Sequence, residues 1–344
     1  MMRTRWLAAA LLTAVCAAAC ATAALAGNDE RTGTNGGGEL QLPVGARSIA
    51  LAGADLGTVD GVEALYYNPA GMAATDAKTD LQFSYTSYIA DIKLNYFAVA
   101  QSLGKLGYLG ASVKVLSIGD IPLTTETAPE GTGEVFSPTF SVIGLSYARS
   151  MTDRVNFGGT VSYVAERILQ ETAAGVAFDF GFQYDTGLNG TRLGVAMKNF
   201  GRQMNYSGAD LERDVLLPED DPQAKNRTLS LTTADFELPS SFQMGASMPI
   251  VRGDLNQLTA HALYQNNAFG LDHGRVGVEY GYRNLAALRA GYLYSSDADR
   301  LFSFSYGAGF RLPVGTGRLS VDYAGQAVRD FFDNVQHLTL SLRF

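Results

Sequence analysis

The carboxyl-terminal end of the chain alternates between apolar and polar residues, and this period of two constrains the fold more than any other feature. One set comprises Leu338, Leu340, Leu342 and Phe344, and the residues between them are His337, Thr339, Ser341 and Arg343. Successive side chains of a β-strand point to opposite faces, so the pattern predicts a strand with one apolar and one polar face. From Leu81 onward we identify fourteen such segments, each of about 8 to 16 residues. The fold class is therefore predicted to be all-β.

A soluble sandwich and a transmembrane β-barrel share this period, so other features must separate them. The predicted strands cover roughly half of the chain, against about 20–25% in ordinary globular domains. Segments of about ten residues match the 9 to 11 that a tilted strand needs to cross the hydrocarbon of a bilayer. Glycines recur on the polar face, where a crowded lumen would favour small residues: Gly110, Gly158, Gly277, Gly281 and Gly291. These features favour a transmembrane antiparallel β-barrel.

The predicted connections between the strands alternate between short and long. The short ones are 104–105, 150–153, 186–190, 252–257, 284 and 313–317, and the long ones are 119–135, 202–237, 267–273, 296–300 and 325–335. Outer-membrane barrels have short periplasmic turns and longer outward loops. The alternation favours fourteen strands, with an uncertainty of two, and places both termini on the periplasmic side.

The first 26 residues have the pattern of a secretory signal peptide. Arg3 and Arg5 precede an apolar run that ends in the small-x-small sequence Ala24-Leu25-Ala26. An uncleaved membrane anchor is the alternative, because about 18 apolar residues can span a bilayer. Residues 27–38, which include the glycine-rich sequence GTNGGG, are predicted to be a flexible lead-in.

Composition excludes several classes of function. Both cysteines, Cys16 and Cys20, lie inside the predicted signal peptide, so disulfides and thiolate chemistry are not expected. Lipid attachment at Cys20 is disfavoured because Ala17, rather than Leu, lies three residues before it. Removing Arg3 and Arg5 from the 26 Lys and Arg leaves 24 against 34 Asp and Glu, a net charge of −10. This balance does not favour binding to nucleic acid.

No catalytic or metal-binding pattern is recognised in the chain. His261, His273 and His337 are scattered without the spacing of metal ligands. The sequence GLSYA at 144–148 has alanine in place of the last glycine of a nucleophile elbow and falls in a predicted strand. We therefore expect no enzymatic activity, no cofactor and no metal site.

Charged and aromatic residues of the strands have two interpretations each. Six charged residues fall on the predicted inward face, where they would form either a structural ion-pair network or a ligand-orienting site: Lys114, Arg275, Glu279, Arg289, Arg318 and Asp322. Tyrosines cluster towards strand ends, as in the aromatic girdles at a lipid interface or through simple β-propensity: Tyr85, Tyr88, Tyr96, Tyr163, Tyr280, Tyr282, Tyr292, Tyr294 and Tyr323.

A motif with helical character precedes the strands. The stretch VGARSIALAGADLGTVDGVEALYYNPAGMA, residues 44–73, contains Gly45-Ala46-Arg47, a small-residue helix expected over 49–54, the acidic Asp60, and Asn68-Pro69-Ala70-Gly71. It resembles the N-terminal signature of the PorV/PorQ family, within the FadL-type superfamily of hydrophobic-compound transporters. Proline disfavours helix at the residue before it, and the asparagine side chain can bond to nearby backbone, so a tight turn is expected at Asn68 and Pro69.

The resemblance implies an architecture and a function. Residues 39–75 are expected to form a hatch or plug that fills the lumen of a barrel formed by residues 76–344, with Arg47, Asp60, Asn68, Pro69, Ala70 and Gly71 as its site residues. A helix lying at the periplasmic mouth is the alternative. A lumen of about fourteen strands is too wide for side chains alone to fill, which favours the plug.

The expected function is passive uptake of hydrophobic, fatty-acid-like small molecules through the plugged lumen of an outer-membrane protein. The expected partners are outer-membrane lipid, the hydrophobic ligand, and the barrel assembly machinery acting at Phe344. One alternative is a PorV-like component of an outer-membrane secretion system that binds secreted proteins. The other is a closed structural barrel.

Overall fold

The structure, a computed structural model, describes residues 31–215, 227–297, 300–329 and 333–344. The predicted signal peptide and the first residues of the predicted lead-in lie outside the described residues.

Fourteen antiparallel strands close into one barrel. Each strand pairs with the next along the chain, and the first strand pairs with the last from Asp80 opposite Arg343 to Ser87 opposite Gln336. The strands are β1 Thr79–Ser87, β2 Lys93–Ser102, β3 Tyr108–Ser117, β4 Thr139–Thr152, β5 Val155–Ile168, β6 Glu171–Asp185, β7 Arg192–Gly201, β8 Ser241–Arg252, β9 Asn256–Asn267, β10 His273–Tyr282, β11 Ala286–Ser295, β12 Phe302–Val314, β13 Gly317–Val328 and β14 Val335–Arg343. The predicted fold class and strand number are confirmed.

The two ends of the barrel differ in the length of their connections. At one end, the short-loop end, the connections are 103–107, 153–154, 186–191, 253–255, 283–285 and 315–316. At the other, the long-loop end, they are 88–92, 118–138, 169–170, 202–240, 268–272, 296–301 and 329–334. The longest two carry strand pairs of their own, Ile121–Pro122 with Val135–Phe136 and Glu212–Val215 with Arg227–Ser230. The alternation follows the prediction, except that the two-residue turn at 169–170 is at the long-loop end.

The apolar face of the strands points outward and the polar face points into the barrel. In β14, Leu338 and Leu340 are 46% and 42% exposed, whereas His337 and Thr339 are 1% and 3% exposed. This distribution is the reverse of a β-sandwich, in which the apolar faces would be buried against each other. No helix within the described ranges is long and apolar enough to cross a membrane.

Residues 39–75, called the plug below, lie inside the barrel. They contain the α-helices α1 Ala46–Ala50 and α2 Ala64–Tyr67 and the 3-10 helices Gly61–Glu63 and Pro69–Ala74. A further 3-10 helix, Gly38–Gln41, begins one residue before the plug. Three further 3-10 turns, Ile89–Asp91, Gly104–Leu106 and Ala209–Leu211, lie in connections outside the plug. Many plug side chains are fully buried, among them Ile49, Leu56 and Met72. The plug therefore fills the lumen instead of lying at its mouth.

The helix expected over residues 49–54 is wrong in its bounds, because α1 covers Ala46–Ala50. After it the Ala52 N–H donates to the Ile49 carbonyl and the Gly53 N–H donates to the Ser48 carbonyl. This pair of bonds ends a helix with one residue in the left-handed conformation, here Ala52 at φ 54°. A left-handed alanine is disfavoured by roughly 1–2 kcal/mol, so the turn is strained.

The plug packs against one side of the barrel through apolar contacts. Val59, Leu65 and Met72 belong to a buried cluster with Leu94 and Ala98 of β2. Burial of apolar surface is worth about 25 cal/mol per Å², so this cluster is a main source of the plug's attachment. The inner face of β2 is therefore apolar, whereas the sequence pattern predicted polar inner faces for the strands.

Glycines of the inner wall let the plug backbone approach closely. A Cβ atom added to Gly110, Gly158, Gly277 or Gly291 would lie within 3.0 Å of a plug atom. The predicted crowding is therefore confirmed at these four positions. It is wrong for Gly281, where the nearest atom to an added Cβ is the Gln257 Cβ at 3.8 Å.

Most tyrosines of the predicted girdle lie on the outer surface. Tyr163, Tyr280, Tyr282, Tyr292, Tyr294 and Tyr323 are each 38% to 49% exposed. Tyr96 is the clear exception, because it is 3% exposed and packs inward in the apolar cluster. Tyr88 lies in the connection after β1 and lines an internal cavity.

Candidate functional site

Asn68 joins the plug to the barrel wall, and no part of its surface is exposed. Its Nδ2 donates to the carbonyl of Phe182 in β6 at 3.0 Å and to the carbonyl of Leu56 at 3.2 Å. Its Oδ1 accepts the Ala70 N–H at 3.3 Å, which starts the 3-10 helix at Pro69. The predicted turn is thus an anchoring point between plug and wall.

The remaining residues of the motif are buried in tight contact. Pro69 and Ala70 lie against Gly158, where an added Cβ would come within 3.0 Å of both. An added Cβ at Gly71 would meet the carbonyl oxygen of Val59. A side chain larger than that of glycine therefore does not fit at position 71 or 158 without displacing the plug.

A buried ion-pair network ties the opposite side of the plug to the wall. Arg47 of the plug contacts Glu279 at 3.2 Å and Glu63 at 3.8 Å. Glu279 also binds Arg289 at 2.6 Å, and Arg289 binds Asp322 at 2.6 Å. The structure therefore brings together three of the six predicted lumenal residues with one of the predicted plug residues.

A second ion-pair group lies near the short-loop end. Asp60 of the plug and Asp80 of β1 each contact Arg343 at 2.9 Å. Burial acts to raise the pKa of Asp60, but the nearby guanidinium groups of Arg343 and Arg47 bring it below its usual value. Both carboxylates are therefore held close to a cation that the prediction did not name.

Three predicted lumenal residues do not join these networks. Lys114 is 4% exposed, donates to the Leu42 carbonyl at 3.2 Å and lies 4.7 Å from the centre of the Tyr66 ring. Arg275 donates from Nη1 to the Ala52 carbonyl at 3.3 Å. Arg318 is exposed near the short-loop end and has no ion pair with the described residues. Lys114 and Arg275 thus hold plug backbone, and Arg318 lies apart.

A cavity of about 330 Å³ lies between the plug and the wall formed by β7 to β13. Its floor is made by Ile49, Ala52 and Gly53 and by the rings of Tyr66 and Tyr67. Wall residues near the long-loop ends of their strands complete it, including Asn199, Gln243, Gln265, Asn267, His273, Phe302 and Gln326. The volume falls at the lower end of the range for small-molecule sites.

The lining of the cavity combines cations, amides and rings. Lys198 of β7 is 5% exposed and its Nζ lies 3.7 Å from the centre of the Tyr66 ring. Arg275 of β10 completes the positive charge, and no Asp or Glu is among the described residues that line the cavity. Arg275 was predicted from the sequence to be a lumenal residue, whereas Lys198 and the amides were not, because nothing in their local sequence distinguishes them from other inward polar residues.

The first described residues reach the long-loop end. Arg31 binds Glu237 at 3.0 Å and lies 4.2 Å from the centre of the Phe269 ring, and both partners are in long-loop connections. Phe344 is at the opposite end, following β14. The amino terminus, predicted to be periplasmic like the carboxyl terminus, lies outside the described residues.

A pair of buried carboxyl groups fixes the start of the plug. Glu39 is 2% exposed, and neither of its carboxyl oxygens has a hydrogen-bond partner among the described residues. Burial raises the pKa of Glu39 to about 7, and the nearby charge of Glu166 acts in the same direction. Glu166 itself accepts the Gly37 N–H at 2.9 Å and the Tyr206 hydroxyl. Glu39 therefore packs here more favourably as a neutral carboxylic acid.

Three solved structures share the architecture along nearly their whole length. The Pseudomonas putida toluene transporter TodX has a TM-score of 0.57 at 13% identity, covering 88% of this chain and 97% of that one. A Pseudomonas aeruginosa FadL homologue has a TM-score of 0.57 at 14% identity, covering 88% and 98%. The Ralstonia pickettii toluene transporter TbuX has a TM-score of 0.54 at 13% identity, covering 88% and 97%. The chain therefore has the fold of FadL-type channels.

No protein-family model and no curated protein matches the chain. The resemblance of residues 44–73 to the PorV/PorQ signature thus stays a prediction from the motif. At these sequence identities the solved structures establish the fold of this chain and not its function.

Proposed function

We propose that this protein is an outer-membrane barrel that takes up small hydrophobic or amphipathic molecules through its plugged lumen. The observation that carries the proposal is the cavity of about 330 Å³ enclosed between the plug and the long-loop half of the barrel. A barrel serving only as a scaffold has no need of such a space. Fatty-acid-like molecules are the ligand class that we propose first, from the resemblance of residues 44–73.

The exterior supports placement in a membrane. Outward side chains such as Phe97, Ile143 and Leu145 are 50% to 58% exposed, which is unfavourable in water over so large a surface. Strands of 9 to 15 residues are long enough to cross the hydrocarbon of a bilayer at a tilt. Only a closed barrel satisfies every backbone hydrogen bond of strands in lipid. In this placement the long-loop end faces outward.

Passage from the cavity to the short-loop end requires the plug to move. Ile49, Ala52 and Gly53 form the cavity floor, and Leu51 beside them is completely buried. The strained turn at Ala52 is held by one 3.3 Å hydrogen bond from Arg275. We therefore propose that a ligand is first bound in the cavity and passes after this turn is displaced.

A reversible disulfide between the plug and the barrel wall, called the lock below, tests the proposal. A Cβ added to Gly277 would lie 3.2 Å from the Leu51 Cβ, close to the 3.5–4.5 Å spacing of disulfides, so Leu51→Cys with Gly277→Cys can join plug and wall. We expect purified barrel in liposomes to admit a radiolabelled long-chain fatty acid, oxidation of the pair to reduce its entry, and reduction to restore it.

Each single cysteine variant is the control for the lock, since it cannot form the bond. Gly277→Cys alone also measures the effect of the added Cβ, which would lie 2.9 Å from the Leu51 carbonyl oxygen. Wild-type liposomes that admit the fatty acid no faster than empty liposomes would overturn the uptake proposal. In cells, unchanged fatty-acid uptake in a deletion strain together with lost secretion of surface proteins would favour the secretion-partner alternative.

A further inference from the structure

We infer that the cavity is a binding site for a small organic anion, with its charged group between Arg275 and Lys198 and its apolar body against the tyrosine rings. This inference rests on the proposed uptake function, because it names the class of molecule that the site selects. It differs from a site for neutral hydrocarbons, which the cavity lining does not suit.

The charge of the lining is one-sided. Arg275 and Lys198 line the cavity, and none of its described lining residues is an Asp or Glu. Neither cation belongs to an ion pair among the described residues. Asp179 lies in an adjoining recess, which also contains Lys198, and its Oδ1 accepts the Asn199 N–H at 2.6 Å. The charge of Asp179 partly balances that of Lys198, whereas Arg275 has no ion pair among the described residues. A buried cation without a paired anion is unfavourable, and an anionic ligand relieves that state.

Arg275 differs from the other arginines that hold the plug. Arg47, Arg289 and Arg343 each contact two carboxylates within 4.0 Å. Arg275 has a single hydrogen bond, to the Ala52 carbonyl, and its buried Nε has no partner. A guanidinium group presents planar donors that match the oxygens of a carboxylate or sulfonate. Arg289 also has an unpartnered Nη2, but two carboxylates already balance its charge. Arg275 is therefore the plug-holding arginine whose charge is left for an anionic ligand.

Other polar atoms of the lining residues also lack partners. They are the Tyr67 hydroxyl, the Gln265 Oε1 and the His273 Nδ1. A buried polar group without a hydrogen bond costs about 1–3 kcal/mol. Each of these atoms is fully buried, so a ligand with a hydrogen-bonding group pairs with it only after its side chain rotates towards the cavity. A hydrocarbon pairs with none of them in any rotamer.

The cavity also has an apolar part for the rest of the ligand. Leu40, Leu42, Tyr66 and Phe302 contribute to its lining. Rings and aliphatic side chains beside a few polar groups are typical of small-molecule sites. An aromatic or short aliphatic acid matches both parts, with its charged end toward Arg275.

Binding of a matched pair of probes tests the inference. Benzenesulfonate and neutral benzenesulfonamide share ring and size, and saturation-transfer NMR on the full mature barrel in detergent micelles compares their affinities. We expect the sulfonate to bind at least tenfold more tightly, since a charge-assisted hydrogen bond changes affinity by about tenfold or more. Arg275→Met and Lys198→Met should each remove most of this preference.

Arg318→Met is the matched control, because Arg318 is exposed outside the cavity. Heat-modifiable gel migration confirms that each variant is a folded barrel. Equal affinity for the two probes, or an unchanged preference in folded Arg275→Met, would overturn the inference.

Two outcomes distinguish a failure of the anion site from a failure of the proposed uptake function. Benzenesulfonate binding, together with fatty-acid entry no faster than into empty liposomes, would leave the anion site in place and overturn uptake. Fatty-acid entry without any preference for the sulfonate would leave uptake in place and overturn the anion site.

Discussion

Replacing Asn68 with alanine tests whether the motif at the end of α2 anchors the plug to the barrel. The side chain makes three hydrogen bonds, two of them inside the lumen to the carbonyls of Leu56 and Phe182. Each is worth about 1 kcal/mol net, and Leu56 keeps a second donor in Gln183, so we expect a loss of about 2–3 kcal/mol in plug attachment.

The expected loss has a direct readout in hydrogen exchange. A change of about 2–3 kcal/mol raises the population of the detached plug roughly 30- to 150-fold. Amide exchange of residues 61–74, followed by mass spectrometry, should accelerate by this factor in the variant, while the amides of β10 to β14 stay protected.

Asn205→Ala is the control, because Asn205 is an exposed asparagine whose Nδ2 donates to Asp235 in a long connection. Unchanged exchange of residues 61–74 in Asn68→Ala would refute the anchoring role. Loss of heat-modifiable gel migration, also in the double variant with Pro69→Ala, would show instead that the motif serves folding of the barrel. We expect the double variant to remain folded and to have altered permeability.

Three further predictions concern other contacts of the plug. Arg289→Met should destabilise the protein by about 3–5 kcal/mol in urea unfolding followed by circular dichroism, because it leaves the buried Asp322 without its cation and Glu279 with Arg47 alone. Arg318→Met should change stability by less than about 0.5 kcal/mol. Gly291→Ala should speed proteolysis of the plug, because its Cβ would collide with the Leu51 and Ala52 backbone, whereas Gly281→Ala should behave as wild type. The fold raises the pKa of Glu39 above 4.5, to about 7, so its contribution to stability is complete below pH 4.5 and lost as the pH rises through 7. The protection factors of residues 36–41, which are corrected for base-catalysed exchange, should therefore fall between pH 5 and 8 in wild type and not in Glu39→Gln.

The barrel was predictable from the sequence because its main determinant is local. A period of two fixes which residues share a face, and the contrast between Leu338 and His337 fixes which face is apolar. Loop lengths then gave the strand number. The prediction was wrong for the inward Tyr96 because tyrosine suits both a lipid interface and a packed interior.

The sequence predicted that charged residues of the lumen form ion pairs, but it did not predict which residues pair with each other. Arg47 and Glu279 are separated by 232 residues, and only the curvature of the closed barrel brings them together. The cavity was not predictable at all, since residues 40–43 of the plug and strands from β7 to β13 contribute to it. Lys198 is an ordinary inward residue of β7, and its sequence neighbours give no sign that Tyr66 lies beneath it.

Apolar contacts hold one side of the plug and ion pairs hold the other. This difference affects how a path through the lumen would open. Against β2 the contacts are apolar, have no directional requirement and include Leu65 and Met72. Against β10 and β11 they are ion pairs, whose partners exchange when another anion or cation competes. The turn at Ala52 is held on this second side by Arg275, which has no ion pair among the described residues. An anion that binds through the Arg275 Nη1 competes with the Ala52 carbonyl for that donor, so such a molecule would also weaken the floor of the cavity.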